Sequence, residues 1–416
     1  MKYCYKFAIL ATTCVCVGGM ALPVAAQDMA GPTPSQASED PYAAKGMPLG
    51  GFRLFPTLDV TANYDDNIYL TQTNTKSDYF FRETPQVMLQ SDWSRHELDV
   101  YGAANLYQYA SLSEQNHTDW DAGGDGRLDI FRGLDFSASG SYSVEHLANS
   151  SPDQPSNAKT PTEFAVTQTN AVLAYHPYHF GFSVGGSFTR DVYDATLLVG
   201  GTTLSNADRN EDQYTAFAKA SYEFSPGYAL FLQGIDNDAH YDLTYDRSGL
   251  QRDNNGYAVN VGLDMLVTDL VKGQMFVGYF DQRYKGAFTD VSGFNFGAKV
   301  DWFATPLWTF HLTASRTLNG TILSAASTED DQSVQLSADF LARPNIVVNA
   351  YVGYLNADFT GSPRTDGYTT TGVKLTYHLN RWISTELSDS FQTRNSTITG
   401  QNFDDNVIMA GLKFQD

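Results

Sequence analysis

Cysteine, positive charge and long apolar runs are all scarce in this sequence of 416 residues. Its three cysteines, Cys4, Cys14 and Cys16, stand close to the N terminus. Downstream of them a disulfide, a thiolate zinc site and a cysteine nucleophile are all excluded. No leucine stands three residues before Cys14 or Cys16, so a lipidated cysteine is not expected. Lys and Arg number 26 against 47 Asp and Glu, for a formal charge of -21. Phosphate repulsion at that balance rules out sequence-independent binding to nucleic acid. The mean hydropathy of -0.31 is too low for a polytopic helical membrane protein. The eight histidines (His96, His117, His146, His176, His179, His240, His311, His378) lack metal-ligand spacing. Neither a metal nor a cofactor is expected. Aromatic residues, by contrast, make up 13%, too many for a low-complexity chain.

The N terminus sets the compartment. Residues 1–26 carry Lys2 and Lys6, an apolar stretch from Phe7 to about Val17, and Val24-Ala25-Ala26 before Gln27. That is the pattern of a cleaved secretory signal. Residues 27–50, rich in Pro, Ser, Ala and Gly, read as a flexible periplasmic leader. Residues 51–416 form the remaining unit.

In that unit apolar residues recur at every second position. Phe180, Phe182, Val184, Gly186 and Phe188 alternate with small polar residues. Tyr257, Val259, Val261, Leu263, Met265 and Val267 alternate with Asn260, Gly262 and Asp264, and Phe294, Phe296, Ala298, Val300 and Trp302 with Asn295, Lys299 and Asp301. Successive strand side chains point to opposite faces, so each block builds one apolar and one polar wall. About eighteen blocks follow one another, beginning near residues 52, 79, 96, 118, 134, 163, 179, 213, 229, 256, 273, 292, 307, 332, 346, 368, 382 and 405. Their connections alternate in length. Short ones hold Trp93-Ser94, Arg132-Gly133, Ser225-Pro226-Gly227 or Thr305-Pro306, and long polar ones run around 148–162, 193–211, 244–255 and 318–331.

Short turns at one end and long loops at the other describe an all-β, antiparallel outer-membrane barrel with periplasmic hairpins and extracellular loops. An apolar band about 25 Å tall crossed at about 45° takes about eleven residues per strand, as the blocks supply. Backbone groups in hydrocarbon must pair within the protein, so the sheet must close. Trp93, Tyr175, Tyr178, Tyr222, Phe224, Trp302, Phe303, Trp308 and Trp382 cluster at block ends as interfacial girdles would. Ile408, Ala410, Leu412 and Phe414 resemble the terminal strand that barrel-assembly machinery recognises, although Gln415 and Asp416 follow. The partners expected are therefore outer-membrane lipid, lipopolysaccharide and that machinery. Three features fit less well. Asp389 falls on the lipid wall, the blocks near 229 and 273 read in either register, and Pro56 and Pro85 within strands imply a bulge or local irregularity.

The opposite wall supplies the lumen. Its candidate residues are Asp59, Arg82, Glu97, Asp99, Asp119, Asp121, Asp125, Arg127, Asp129, Lys299 and Asp301, with Asp135, Glu145, Lys219, Glu223, Asp264, Asp339, Lys374, Glu386 and Lys413. An acidic balance favours cations, and Tyr101, Tyr107 and Tyr109 offer faces for pyranose stacking. Paired charges that stiffen the wall are the plainer reading. Asp119, Asp121 and Asp125 lack the terminal Glu of a calcium loop and lie on a strand. Asp236, Asp238 and His240 are the one arrangement suggesting a hydrolase at the outer rim, and loop polarity is the simpler account.

Four strings carry a family resemblance: Tyr64-Asp65-Asp66-Asn67-Ile68-Tyr69, Ser91-Asp92-Trp93-Ser94-Arg95-His96, Gly124-Asp125-Gly126-Arg127-Leu128-Asp129-Ile130 and Pro161-Thr162-Glu163-Phe164. They resemble the family called Putative beta-barrel porin 2, and the resemblance extends over most of the mature chain. It implies a non-enzymatic barrel associated with exopolysaccharide export or surface attachment, with polysaccharide and export-machinery components as partners. A general diffusion porin for small solutes is the alternative. Whether a long loop such as 193–211 folds inward to plug the lumen is left open.

Overall fold

The computed structural model describes residues 41–265 and 270–416. The signal sequence and most of the leader lie outside them, as does Val267. Eighteen long strands make up the wall. They are β1 (Phe52–Asp65), β2 (Asp78–Ser91), β3 (Glu97–Tyr109), β4 (His117–Phe131), β5 (Leu134–His146) and β6 (Glu163–Tyr175). Next come β7 (Phe180–Tyr193), β8 (Glu211–Ser225), β9 (Tyr228–Tyr241), β10 (Asn254–Met265), β11 (Val271–Tyr284) and β12 (Val291–Thr305). The last six are β13 (Trp308–Asn319), β14 (Thr328–Arg343), β15 (Ile346–Thr360), β16 (Thr365–His378), β17 (Ile383–Ser396) and β18 (Phe403–Gln415). Each begins within a few residues of its expected block. The largest difference is at β14, expected near 332 and starting at Thr328.

Every strand pairs antiparallel with its neighbours in sequence, and β18 returns to β1 from Asp65↔Val407 to Thr57↔Gln415. The cylinder is thus closed, and its wall presents no continuous free edge to lipid. Register keeps apolar residues in line from strand to strand: Phe182 opposes Ala220, then Leu232, Val261, Val277 and Phe296 follow along one row. Aromatic residues flank this aliphatic band. On the outer side Phe188 and Tyr214 are in contact at 5.1 Å, with Tyr79, Tyr257, Tyr279 and Phe294 exposed beyond them. On the periplasmic side Phe180 meets Tyr222 at 5.2 Å and Trp308 stacks on Phe340 at 4.4 Å.

The short hairpins shape the periplasmic end. Gly133 (φ 84°) and Gly227 (φ 79°) take left-handed conformations there that a side chain would strain. Register shifts fall beside the turns, at Asp129/Phe131, Glu223/Ser225, Phe303/Thr305 and Leu341/Arg343. Of the bulge or local irregularity expected from Pro56 and Pro85, the irregularity is found, at Pro85. The β2–β3 ladder skips Thr84 and Pro85 yet resumes in the same register, Glu83↔Leu106 to Gln86↔Ala103. Thr84 Oγ1, 2.9 Å from Asn105 Oδ1, bridges the two strands there by side chain. Within the stretch read as leader, Met47–Leu49 form a short strand against β1.

Candidate functional site

The face opposite the exposed apolar residues holds all the candidate lumen residues. Asp59 sits on β1, Arg82 on β2, and Glu97 and Asp99 on β3. Asp119, Asp121, Asp125, Arg127 and Asp129 share one face of β4, and Lys299 and Asp301 one face of β12. They fall into two groups half a cylinder apart. On the β3–β4 side the ladder opposes Asp99 to Asp125 and Glu97 to Arg127. Carboxylate oxygens of Glu97, Asp99 and Asp125 lie within 4.8 Å of one another there. Arg127 Nε is 3.4 Å from Asp129. Above them Asp119 is bound by His146 Nδ1 at 2.8 Å, and His117 stacks on Tyr107 at 4.4 Å. On the far side His311 bridges Asp301 at 2.7 Å and Asp339 at 3.0 Å, while Asn349 donates to Asp339 at 2.7 Å. Lys299 stands exposed on the same wall.

Sequence periodicity missed an apolar stripe on the inner wall. Phe217, Ile235, Ala258, Phe280, Val291 and Leu318 form a buried cluster running across β8 to β13. Inward rings lie against glycines of a neighbouring strand: Phe231 covers Gly262, Phe276 covers Gly297 and Phe217 covers Gly185. An inward glycine beside an aromatic residue is the sequence signal of this arrangement.

The outer mouth is crossed by the β5–β6 connection, residues 147–162. Leu147 is fully buried, and its amide donates to Thr162 O at 2.8 Å, pinning the loop base. Asn149 donates to Ile68 O at 2.9 Å and to Gln115 Oε1 at 3.0 Å, reaching the first two loops. Arg394 of β17 donates to Ser150 O at 2.9 Å. Asp153 accepts from Thr321 Oγ1 at 2.9 Å and from the Ile322 amide at 3.1 Å, both on the opposite side of the cylinder. Arg209 lies 3.7 Å from the second Asp153 oxygen and over the Tyr193 ring. The loop raised as a plug, 193–211, is stitched to this crossing segment, with Thr162 and Thr196 hydroxyls 2.6 Å apart. From the 242–253 loop, Arg252 binds Asp246 at 2.8 Å and also reaches Thr321 O and Ala326 O.

Electrostatics favour these clasps. Burial pushes the Asp208 carboxyl up, but hydrogen bonds and charge from Arg247 outweigh it and hold the group below the ordinary value. Asp253 is likewise raised by burial and lowered more by the Tyr241 amide and Lys285. The Asp65-Asp66-Asn67 string closes the first loop. Asp65 accepts from the Asn67 amide at 2.7 Å, and buried Asn67 donates to Thr71 O at 2.9 Å and Asp404 O at 2.8 Å. Asp236, Asp238 and His240 lie on the outward face near the rim, where His240 Nε2 is 3.1 Å from Asp238 and Nδ1 is 3.8 Å from Asp253.

Among solved structures the chain is similar to Pseudomonas aeruginosa OccK2 (OpdF) in complex with glucuronate, at 13% identity and a TM-score of 0.46, over 89% of this chain and 100% of that one. A BenF-like porin from Pseudomonas fluorescens Pf-5 matches at 10% and 0.46, over 88% and 100%. Pseudomonas aeruginosa OpdK with vanillate matches at 13% and 0.44, over 87% and 99%. No curated protein matches the sequence. The barrel assignment stands on the closed ladder of this chain. A family model matches residues 40–416, and this outer-membrane barrel, with its closed wall and polar interior, belongs to the Putative beta-barrel porin 2 family.

Proposed function

We propose that the protein is a diffusion porin for small polar solutes, narrowed at its outer mouth by the 147–162 loop, and that it catalyses no reaction. The observation carrying this reading is the loop's path over a charged lumen, anchored through Asp153 to Thr321 and Ile322 on the far wall. On the inner face the carboxylates of Asp59, Glu97, Asp99, Asp119, Asp121, Asp125, Asp129 and Asp301 outnumber the cations Arg82, Arg127 and Lys299 and bias the path toward cations. Conductance in planar bilayers tests it. Small, steady, cation-preferring currents are expected, and Asp153→Ala is expected to raise them severalfold by freeing the loop. Absence of current from folded protein and from the variant alike would reject the channel.

Exopolysaccharide export or attachment is the second reading. It draws on the family resemblance and on Tyr101, Tyr107 and Tyr109 along β3. His117 already occupies one face of Tyr107. Oligosaccharide added during the recording separates the two readings. Blockage favours the polymer role, and unchanged current favours the small-solute porin.

A further inference from the structure

Between β12 and β13 the strands are not joined along their full length. The β12–β13 ladder runs from Thr305↔Trp308 only to Gly297↔Ser315. Beyond that point β12 stays paired to β11 as far as Gln282↔Val291, and β13 stays paired to β14 as far as Asn319↔Glu329. Six residues of β12 and four of β13 thus turn an unladdered edge toward each other. Arg316 fills the gap. Its Nη1 donates to Phe294 O at 2.7 Å, its Nε donates to Asp330 at 2.9 Å, and its guanidinium lies 4.8 Å from the Phe280 ring centroid. A guanidinium with five donors suits this task, satisfying backbone and carboxylate together where the strand bonds have ended.

The gap has different surroundings on its two sides. Outside, Phe294 is exposed at the level of the outer aromatic girdle, facing the lipid. Inside, the apolar stripe ends at the gap, for Phe280, Val291 and Leu318 are its members nearest β12 and β13. An apolar lining is of no use to a hydrated ion. It does lower the cost of moving a greasy molecule between bilayer and lumen. The vertical exit above is crossed by the 147–162 loop, and the side wall offers a route with an apolar lining.

We infer that the β12–β13 gap is a lateral portal, latched by Arg316, through which small apolar or single-chain amphipathic molecules pass between the outer leaflet and the lumen. The route is separate from the aqueous path, and its test reads neither conductance nor selectivity. Ala258, on β10, belongs to the same inner stripe that ends at the gap. The mature chain read from the sequence has no cysteine, so Ala258→Cys places a single thiol there. In vesicles, the thiol is offered N-decylmaleimide dissolved in the bilayer or a maleimide on a polyethylene glycol chain in the water. Opening the latch with Arg316→Ala, or separately with Asp330→Asn, is expected to speed the alkyl reagent about tenfold, as losing one charged hydrogen bond implies. The polymer reagent is expected to react at an unchanged rate. Folding of each variant is checked by heat-dependent migration in gels. An unchanged alkyl rate in either folded variant overturns the portal, as does equal acceleration of the polymer reagent, which would place the opening at the mouth.

Discussion

At the residue scale, side-chain size on the inner wall is set by contacts that only glycine allows. A Cβ at Gly262 would stand 2.3 Å from Met275 O and 2.4 Å from Phe231 Cζ, and the carbonyl has no freedom to retreat. Gly234, on the lipid face, has nothing within 4 Å of such a Cβ. Gly262→Ala is therefore expected to cost about 1–3 kcal/mol, the range for overpacking, and Gly234→Ala close to nothing. Urea unfolding of the two variants in vesicles checks the contrast, and equal midpoints would contradict it. Asp389 is the reverse case, an exposed carboxylate between exposed Leu387 and Phe391 on the same lipid-facing wall. A carboxylate facing hydrocarbon gains nothing from the fold. Asp389→Leu is expected to move the unfolding midpoint to higher urea, and a lower midpoint would assign the carboxylate a partner.

At the element scale, the loops depend on a few charged clasps. Arg247 Nε and Nη2 each lie 2.7 Å from Asp208, joining the 194–210 and 242–253 loops. Asp208 has a lowered folded-state pKa, so its contribution is complete above the ordinary carboxylate value of about 3.9 and is lost as pH falls through the lowered value. Both loops are expected to resist protease at neutral pH and to become cleavable only under stronger acid. Arg247→Ala, which forfeits about 1–3 kcal/mol of charged hydrogen bonding, should make them cleavable at neutral pH. Protease digestion of intact vesicles over a pH series reads both. The strands themselves were legible because lipid on one side and water on the other impose a strict period of two. Two strands escaped that reading for a physical reason: both their walls are apolar. β9 sends Leu230 and Leu232 outward and Phe231, Ile235 and Ala239 inward, and β11 sends Met275 and Val277 outward and Phe276 and Phe280 inward. The mouth was not legible at all, since Asp153 and Thr321 are joined by geometry and by no local pattern.

For the whole molecule, closure depends on one seam. β18 meets β1 through Gln415, and the Gln415 amide also donates to Tyr42 O at 2.9 Å and Arg381 O at 3.0 Å. Tyr42 in turn stacks on His378 at 5.2 Å. Gln415 thus ties the segment around Tyr42 to the β16–β17 turn. Removing Gln415 and Asp416 is expected to leave a folded barrel whose segment around Tyr42 is cut by protease from the periplasmic side. Protection equal to the full chain would show that the tie is dispensable.

The crossing of the mouth also dates itself within the chain's biogenesis. Asp153 and Thr321 are 168 residues apart and Ser150 and Arg394 are 244 apart, so the knot cannot be drawn until almost the last hairpin has been delivered. Until those strands are in place, the mouth of the barrel has nothing drawn across it.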